Sequence, residues 1–387
     1  MKILHTIEFY SPSVGGAQEV VKRISEQLVK RGQEITVATT SDGNRKSREI
    51  NGVRIEGFDV SGSAVHGFHG EIDHYKKFLL KSDFDLMMNY AAQQWTTDLV
   101  FPLLESIPYR KVIAPCGFSG LFDSAFGNYF SQMAENLRKY DHLIFHSDSY
   151  QDIGFARSHD LNNYTVVPNG ALEEEFSQID TTFRQRYGIP EDVPMLLTVG
   201  SHTGEKGHSL AIKAFNRARI GRAVLVIIGN LLPGTKGCLP SCWRRARWVN
   251  IKTLGQKRVL LFNPPRRDVI AAYHAADIFI FGSNIECSPL VLFEAMASKT
   301  PFITIACGNA EEIVNWGHGG IVTPTIQRPN GRVDADPKAM ANAIEDLIND
   351  PDERKELAEA GYNAWKDRFT WEKIALEYER VYESILD

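Results

Sequence analysis

Residues 2–40, KILHTIEFYSPSVGGAQEVVKRISEQLVKRGQEITVATT, decide the fold of the first part of the chain. The apolar run Lys2–Ile7 predicts a β-strand, and a loop that contains Gly15 and Gly16 follows it. Beyond the loop, apolar residues recur at the spacing of a helix, and Glu34–Thr40 predicts a second strand. Strand, helix and strand with short connections make a βαβ unit, which predicts a parallel sheet covered by helices.

The same order of elements starts again in the middle of the chain. Met195–Gly200 predicts a strand, Ser201–Gly207 a loop, His208–Arg219 a helix and Ala223–Gly229 another strand. A chain of 387 residues exceeds the size at which one hydrophobic core stops growing, so two domains are expected. A turn and a polar, acidic stretch after Asn169 mark the boundary. We therefore predict an α/β fold with domains at residues 1–170 and 171–370.

Composition and charge exclude several classes of protein. The formal net charge of -5 is unlike that of a general nucleic-acid binder, which needs a basic surplus. No window approaches the roughly 18 consecutive apolar residues of a membrane-spanning helix. Glu8 interrupts the apolar run at the amino end, so a secretory signal is not predicted either. We expect a cytoplasmic protein.

The five cysteines predict reduced thiols rather than a disulfide framework. Cys238 and Cys242 have the spacing of half a metal site, but no second pair of Cys or His residues follows them at zinc-finger spacing. We therefore interpret them as two thiols in a loop and expect no metal.

The segment Asn284–Ala297, NIECSPLVLFEAMA, is the most informative for chemistry. It follows a predicted buried strand and leads into a helix that Pro289 can begin, so its first N–H groups should attract an anion such as phosphate. Glu286 and Glu294 flank this point, and carboxylates accept hydrogen bonds from pairs of sugar hydroxyls. The spacing alone is equally consistent with another interpretation, in which Glu286 caps the helix and Glu294 is a solvated surface charge.

The loop after Val199 is the second candidate. Gly200, Gly204 and Gly207 let the backbone approach a ligand, and Lys206 can meet a diphosphate as a point charge. The glycine spacing is that of neither a P-loop nor a dinucleotide fingerprint. A glycine-capped connection with a surface lysine explains the same residues.

These residues belong to a series of motifs that resembles glycosyltransferase family 4. Seven motifs occur in the family's order and at its separations: Gly15-Gly16, Pro168-Asn169-Gly170, Val199-Gly200, Lys206-Gly207, Ala276-Asp277, Glu286 to Glu294, and Glu312-Ile313-Val314. The resemblance implies the GT-B fold, in which two Rossmann-like domains face each other across a cleft. It also implies retention of anomeric configuration, no cofactor or metal, and a nucleoside diphosphate sugar, either a UDP-sugar or a GDP-sugar. The C-terminal helix, residues 371–387, would pack back on the first domain.

The resemblance also implies roles for single residues. Lys206 would neutralise the donor diphosphate, Glu294 would bind the ribose and Glu286 would hold hydroxyls of the transferred sugar, so that Glu286 and Lys206 carry the catalysis. Further donor-binding residues would be Gly15, Gly16, Gly200, Ser288 and Leu290, the last two through backbone N–H groups. Stabilising the departing diphosphate lets its own oxygen help to deprotonate the acceptor on the same face of the sugar.

Three positions depart from the family pattern. Ser201 stands where an arginine usually supplies a second cation for the diphosphate. Segment 234–267 is basic, holds two tryptophans and no acidic residue, and resembles an insertion; we expect Arg258 or Lys257 to replace the missing cation. The same segment is a candidate for peripheral contact with the inner face of a membrane, although a solvated basic loop with its tryptophans tucked underneath explains it as well.

The other two departures lie at Cys116 and Pro289. Cys116-Gly117 follows a predicted strand where the family commonly has His-Gly near the transferred sugar, so the location is carried over but the role is not. Pro289 removes one N–H donor from the anion site.

The function predicted from the sequence is therefore transfer of a hexose to a glycan or lipid-linked acceptor, of the kind used in bacterial surface polysaccharide synthesis. Two alternatives remain open. One is a nucleotide-sugar epimerase of GT-B fold, and the other is a nucleotide-sugar-binding protein that has lost catalysis.

Overall fold

The structure is a computed structural model that describes residues 1–231 and 236–387. The chain divides into two compact units, Met1–Asn169 with Trp371–Asp387, and Gly170–Thr370. The domain boundary predicted at residues 170/171 differs from this division by one residue.

The first unit is built on an eight-stranded sheet in the order β10-β9-β8-β7-β1-β2-β4-β3, parallel except for the pairing of β3 with β4. β5 and β6 form a separate antiparallel pair. Short 3-10 helices lie at Phe101–Leu103 and Ser124–Phe126. The strands are β1 Lys2–Thr6, β2 Glu34–Thr40, β3 Glu49–Ile50, β4 Val53–Phe58, β5 Val60–Ser63, β6 Gly67–Gly70, β7 Leu86–Tyr90, β8 Arg110–Ala114, β9 His142–Phe145 and β10 Tyr164–Val166. The helices are α1 Gly16–Lys30, α2 Ile72–Lys81, α3 Trp95–Asp98, α4 Gly127–Arg138 and α5 Gln151–Ser158.

The second unit is built on a six-stranded parallel sheet in the order β13-β12-β11-β14-β15-β16, with an antiparallel hairpin of β17 and β18. Its strands are β11 Met195–Val199, β12 Ala223–Ile228, β13 Lys257–Phe262, β14 Ile278–Phe281, β15 Phe302–Ile305, β16 Gly320–Thr323, β17 Thr325–Gln327 and β18 Val333–Ala335. Its helices are α6 Glu173–Phe176, α7 Phe183–Arg186, α8 His208–Arg217, α9 Leu239–Lys252, α10 Arg266–Ala275, α11 Leu290–Ala297, α12 Ala310–Gly317, α13 Pro337–Asn349 and α14 Pro351–Arg368.

Central strands of the second sheet are apolar throughout, because a parallel sheet covered by helices buries both of its faces. β12, with the sequence AVLVII, is buried at all six positions. The predicted α/β class with parallel sheets is confirmed. None of the helices in residues 1–231 and 236–387 combines the length and the apolar character that crossing a membrane requires.

The last helix, α15 (Trp371–Leu386), packs in the first unit. Its buried face includes Tyr378 and Tyr382, and Glu379 accepts hydrogen bonds from Nε of Arg31 at 2.5 Å and from the Gln33 amide at 2.7 Å. A buried amphipathic face and these polar contacts to the end of α1 hold a distant part of the sequence in this unit.

His5 couples β1, α1 and α15 and should make the first unit sensitive to acid. Its Nδ1 lies 2.8 Å from the Ser25 hydroxyl and its Nε2 lies 3.2 Å from the Tyr382 hydroxyl. Burial lowers the pKa of His5 to about 3. Between pH 6.5 and 3 the unfolded chain therefore binds a proton that the folded chain does not, so stability falls as pH falls.

Because of His5 alone, we expect the free energy of unfolding to be about 2 kcal/mol lower at pH 5 than at pH 7. His5→Asn should reduce the pH-dependent loss by that amount, as measured by urea unfolding at the two pH values. His69→Asn is the matched control, because His69 is exposed in the same unit. An unchanged pH dependence in His5→Asn would contradict the assignment.

The basic segment 234–267 was expected to be an insertion, and this expectation is wrong. Residues 234 and 235 lie outside the described residues, but the rest forms α9, β13 and the start of α10, which are regular elements of the sheet unit. The two tryptophans are not tucked underneath: Trp243 is 55% and Trp248 is 54% exposed. Each lies under a cation of its own helix, Arg247 and Lys252.

Candidate functional site

The loop between β11 and α8 holds Lys206 against the start of α8. Gly207 has φ +72°, and a Cβ on it would lie 2.0 Å from the carbonyl oxygen of Gly282. Only glycine therefore allows this loop to approach the loop that follows β14 so closely. The close approach places the side chain of Lys206 over the second loop.

The loop between β14 and α11 is joined to the first loop by hydrogen bonds. The backbone N–H of Asn284 and the hydroxyl of Ser283 both donate to the carbonyl oxygen of Glu205, at 2.7 and 3.0 Å. The Lys206 Nζ donates to Oε1 of Glu286 at 2.6 Å, and the Ser283 hydroxyl, whose one proton is shared between this oxygen and the Glu205 carbonyl, lies 2.9 Å from it. The structure thus brings together the two residues predicted to carry the catalysis.

This lysine–glutamate pair lies at the switch point of the sheet. The chain leaves β11 towards β12 and β13 on one side and later continues in β14 on the other side of β11. Open α/β sheets bind ligands outside the carboxyl ends of their strands at such a point. The side chain of Lys206 is 32% exposed and that of Glu286 is 16% exposed, so a ligand can reach both.

Helix α11 begins beside this pair. Pro289 is the residue before its first turn, and the amide of Asn309 donates to the Ser288 hydroxyl at 3.1 Å. The first N–H groups of a helix lack intrahelical partners, and the helix dipole favours an anion there. Ser288 and Leu290, at this helix start, therefore stand where an anion site would be expected.

Glu294 lies farther along α11, and it is not the solvated surface charge that the alternative interpretation required. Its side chain is only 11% exposed. Arg266, at the start of α10, donates to Oε1 of Glu294 at 2.6 Å and to Oε2 of Glu175 at 2.7 Å. In the sequence, Arg266 has no signal that distinguishes it from the other cations of the basic segment.

Arg258 is not brought to these residues, so its assignment to the donor site is not supported. It is the second residue of β13 and pairs with Val224 near the start of β12, whereas Lys206 and Glu286 follow the carboxyl ends of their strands. Its guanidinium donates to the carbonyl of Gly188 at 3.1 Å. Lys257 is also engaged elsewhere, since its Nζ donates to the carbonyl of Phe215 at 2.8 Å near the end of α8.

Gly200 and Ser201 begin the loop that leads to Lys206. A Cβ on Gly200 would lie 3.0 Å from the Cβ of Lys206, so a larger residue would crowd that side chain. The Ser201 hydroxyl donates to the side-chain oxygen of Asn230 at 2.6 Å. Ser201 therefore connects the ends of β11 and β12.

In the first unit, Gly15 and Gly16 form the start of α1. Gly15 caps the helix and Gly16 is its first residue, and a Cβ on Gly16 would meet nothing within 4 Å. The loop follows β1, which lies beside β7 at the switch point of this sheet.

Cys116 and Gly117 lie in a part of the first unit where the backbone is unusual. Cys116 and Phe118 after β8, and Ala91 and Gln93 after β7, all have positive φ between 49° and 65°. Non-glycine residues adopt this conformation at a cost of about 1–3 kcal/mol each, and such residues concentrate at functional sites. Asp152 accepts a hydrogen bond from the Gly117 N–H at 2.8 Å.

His146 and Cys116 both contact the hydroxyl of Tyr90, and His146 has a fixed tautomer. Its Nδ1 lies 2.9 Å from the carbonyl of Val167 and must carry the proton there, so Nε2 accepts from the Tyr90 hydroxyl at 2.9 Å. The thiol of Cys116 lies 3.8 Å from the same hydroxyl. Burial lowers the pKa of His146 to about 4, which keeps the imidazole neutral at pH 7.

A group of possible metal ligands also forms in the second unit. His202, His208, Cys238 and Cys242 each bring one ligand atom to within 4.8 Å of the others. The two histidines lie about thirty residues upstream of the cysteines, whereas a zinc-finger pattern would place the second pair of ligands downstream.

Known proteins resemble the chain in sequence and in fold. The family model for glycosyl transferases group 1 matches residues 179–364. D-inositol 3-phosphate glycosyltransferase from Xylanimonas cellulosilytica is 30% identical over 423 residues, covering 99% of this chain and 95% of that protein.

Two solved structures share the fold at lower identity. Sucrose-phosphate synthase from Thermosynechococcus elongatus has a TM-score of 0.78 at 20% identity and covers 99% of both chains. Anabaena HepE in complex with UDP-glucose has a TM-score of 0.74 at 17% identity, covering 99% of this chain and 100% of that one. These structural resemblances agree with the two Rossmann-like sheets. The chain belongs to the glycosyl transferases group 1 family and is a GT-B glycosyltransferase of the family 4 type.

Proposed function

We propose that this glycosyltransferase transfers a hexose from a UDP-sugar or GDP-sugar with retention of anomeric configuration. The observation that carries the proposal is the 2.6 Å contact of Lys206 with Glu286 at the switch point of the second sheet, beside the start of α11. A cation, a helix amino terminus and a carboxylate are the groups that a diphosphate and a sugar need side by side.

Lys206 has the chemistry to stabilise the leaving diphosphate. An ammonium group has three N–H donors, so it can donate to a phosphate oxygen while it stays bonded to Glu286. The N–H groups at the start of α11 add further preorganised donors where negative charge develops in the transition state. The departing phosphate oxygen then accepts the proton of the acceptor on the same face, which retains the configuration and needs neither a protein base nor a divalent cation in the transfer step.

Glu286 would hold the transferred sugar. Both of its hydrogen bonds described above go to Oε1, and its Oε2 accepts no hydrogen bond from residues 1–231 and 236–387. Oε2 can therefore accept from sugar hydroxyls while Oε1 keeps the carboxylate oriented. The lysine and the glutamate act as a unit in which each fixes the position of the other.

Glu294 would hold the ribose of the nucleotide. Arg266 donates to one of its oxygens and keeps the carboxylate in place, while Glu175 accepts a hydrogen bond from the same nitrogen of the guanidinium. UDP is the first nucleotide to test, because HepE has been solved with UDP-glucose.

The acceptor is proposed to be a glycan or lipid-linked glycan in bacterial surface polysaccharide synthesis, with the enzyme working in the cytoplasm. Helix α9 favours contact with an anionic membrane, since it exposes Trp243 and Trp248 beside Arg244, Arg245 and Lys252.

Nucleotide binding tests the role of Glu294. UDP and GDP should be compared by thermal shift, because a ligand that binds only the folded state raises the melting temperature. Glu294→Ala should weaken binding of the preferred nucleotide about 10- to 100-fold through loss of charged hydrogen bonds. Glu356→Ala, on an exposed position of α14, is the matched control. Equal affinities in the two variants would contradict the ribose role.

Product analysis separates the proposed reaction from its alternatives. UDP-sugars and GDP-sugars are incubated with oligosaccharide, lipid-linked and inositol 3-phosphate acceptors, and the anomeric configuration of the product is read by NMR. Retention supports the proposal, whereas an inverted product overturns the mechanism. A new nucleotide sugar formed from donor alone indicates an epimerase, and nucleotide binding without any turnover indicates a protein that has lost catalysis.

A further inference from the structure

His202, His208, Cys238 and Cys242 form a compact buried cluster in the second unit. The two Nδ1 atoms of the histidines lie 3.2 Å apart. The sulfur of Cys238 lies 3.5 Å from Nδ1 of His202 and 3.8 Å from Nδ1 of His208. Both imidazoles and the Cys242 thiol are 0–2% exposed, and none of the five cysteines forms a disulfide. Four nitrogen and sulfur atoms thus lie close together, on three buried residues and the partly exposed Cys238.

The backbone is arranged to bring these four residues together. Gly237 has φ +45°, and a Cβ on it would lie 1.5 Å from the carbonyl oxygen of His202. That close approach lets the N–H of Cys238 donate to the same carbonyl at 2.9 Å. Cys238 and Cys242 are then four residues apart at the start of α9, so their sulfurs lie on one face of the helix.

The distances match a tetrahedral ion. Zn²⁺ binds sulfur at about 2.3 Å and imidazole nitrogen at about 2.0–2.1 Å, so neighbouring ligand atoms of a tetrahedral site lie about 3.3–3.8 Å apart. The three separations among His202, His208 and Cys238 are 3.2, 3.5 and 3.8 Å, and all four ligand atoms, that of Cys242 included, lie within 4.8 Å of one another. Two thiolates with two imidazoles are a ligand set of structural zinc sites, and tetrahedral S₂N₂ geometry favours zinc.

A single proton must serve the two facing Nδ1 atoms of the cluster. When two neutral imidazoles face each other through Nδ1, only one of the two nitrogens can carry the proton between them. Nε2 of His208 is buried, and it has no hydrogen-bond partner within the described part of the chain. Ligation of both Nδ1 atoms by one cation removes the need to share that proton.

We propose that His202, His208, Cys238 and Cys242 bind one structural Zn²⁺ ion. The sequence had led us to expect no metal here, because the two cysteines lack a downstream partner pair. The first histidine precedes Lys206 by four residues and the second follows it by two, so the ion fixes both ends of the loop that carries Lys206. The metal site does not depend on the proposed donor chemistry, but its role in holding Lys206 for a diphosphate rests on that function.

Zinc content tests the site directly. The full chain, purified without a metal-binding tag, should retain about one zinc per chain after dialysis against metal-free buffer, as measured by ICP mass spectrometry. Cys238→Ser and Cys242→Ser should lose most of it. Cys116→Ser, which changes a thiol in the other unit, should keep it. Wild-type protein that holds no zinc and takes up none from free Zn²⁺, or cysteine variants that keep it in full, would overturn the proposal.

A second measurement decides the matter if the cysteine variants do not fold. Wild-type chain reconstituted with Co²⁺ should show intense visible d–d bands of tetrahedral cobalt and a thiolate-to-cobalt charge-transfer band. A weak octahedral spectrum would rule out the S₂N₂ site. The role in the loop is tested apart from this, by UDP binding before and after zinc removal. Weaker binding after removal supports the role and unchanged binding refutes it, whereas a zinc-loaded chain that binds no nucleotide counts against the donor function alone.

Discussion

Lys206→Ala is expected to lower kcat for sugar transfer about 100- to 1,000-fold. The Nζ of Lys206 is the cation at the switch point of the second sheet and lies 2.6 Å from the Glu286 carboxylate. Negative charge on the diphosphate grows as the bond to the sugar breaks, so the lysine stabilises the transition state more than the bound donor. The loss should therefore appear mainly in kcat, with a smaller change in the affinity for the nucleotide sugar.

Lys213→Ala is the matched control for this substitution. Lys213 lies on α8, the helix that follows the loop, and its side chain is exposed. The control should transfer sugar at the wild-type rate. A kcat for Lys206→Ala within about threefold of wild type would remove the lysine from the mechanism, because one preorganised donor is worth far more than that.

The elements of both sheets could be predicted because their signals are local. The helix predicted at His208–Arg219, the strand predicted at Ala223–Gly229 and the helix predicted to begin at Pro289 follow from apolar patterns, and the structure has α8, β12 and α11 there. Motif order also identified Lys206 and Glu286, and the structure joins them. Their pairing follows from topology, since β11 and β14 must be neighbours for the two loops to meet.

What the sequence did not reveal depends on contacts between distant segments. Arg258 and Arg266 are both basic residues of one segment, but the first is the second residue of β13 and the second begins the helix after it. Only the direction of the strand decides that Arg266, not Arg258, reaches the carboxyl edge and contacts Glu294. In the same way, the histidines of the metal cluster precede the cysteines by about thirty residues, a spacing that has no pattern of its own.

Gly207→Ala is expected to damage both stability and activity through the contact between the two loops. A Cβ at this position would lie 2.0 Å from the carbonyl oxygen and 2.7 Å from the Cα of Gly282, all of them backbone atoms that cannot rotate away. The left-handed backbone at φ +72° adds strain of about 1–3 kcal/mol. Relief of the clash should cost about 1–3 kcal/mol more and should move Lys206 away from Glu286.

Gly204→Ala separates these two effects. Gly204 has φ +98°, but a Cβ there would meet nothing within 4 Å, so this variant introduces backbone strain without the clash. Gly207→Ala should therefore unfold at lower urea and should lose about 100-fold more kcat/KM than Gly204→Ala, since a displacement of about 1 Å at a reacting centre has that effect. Equal losses in the two variants would mean that the approach of Gly207 to Gly282 does not position the lysine. The hydrogen bonds that Ser283 and Asn284 make to the Glu205 carbonyl would then have to hold the loop in place.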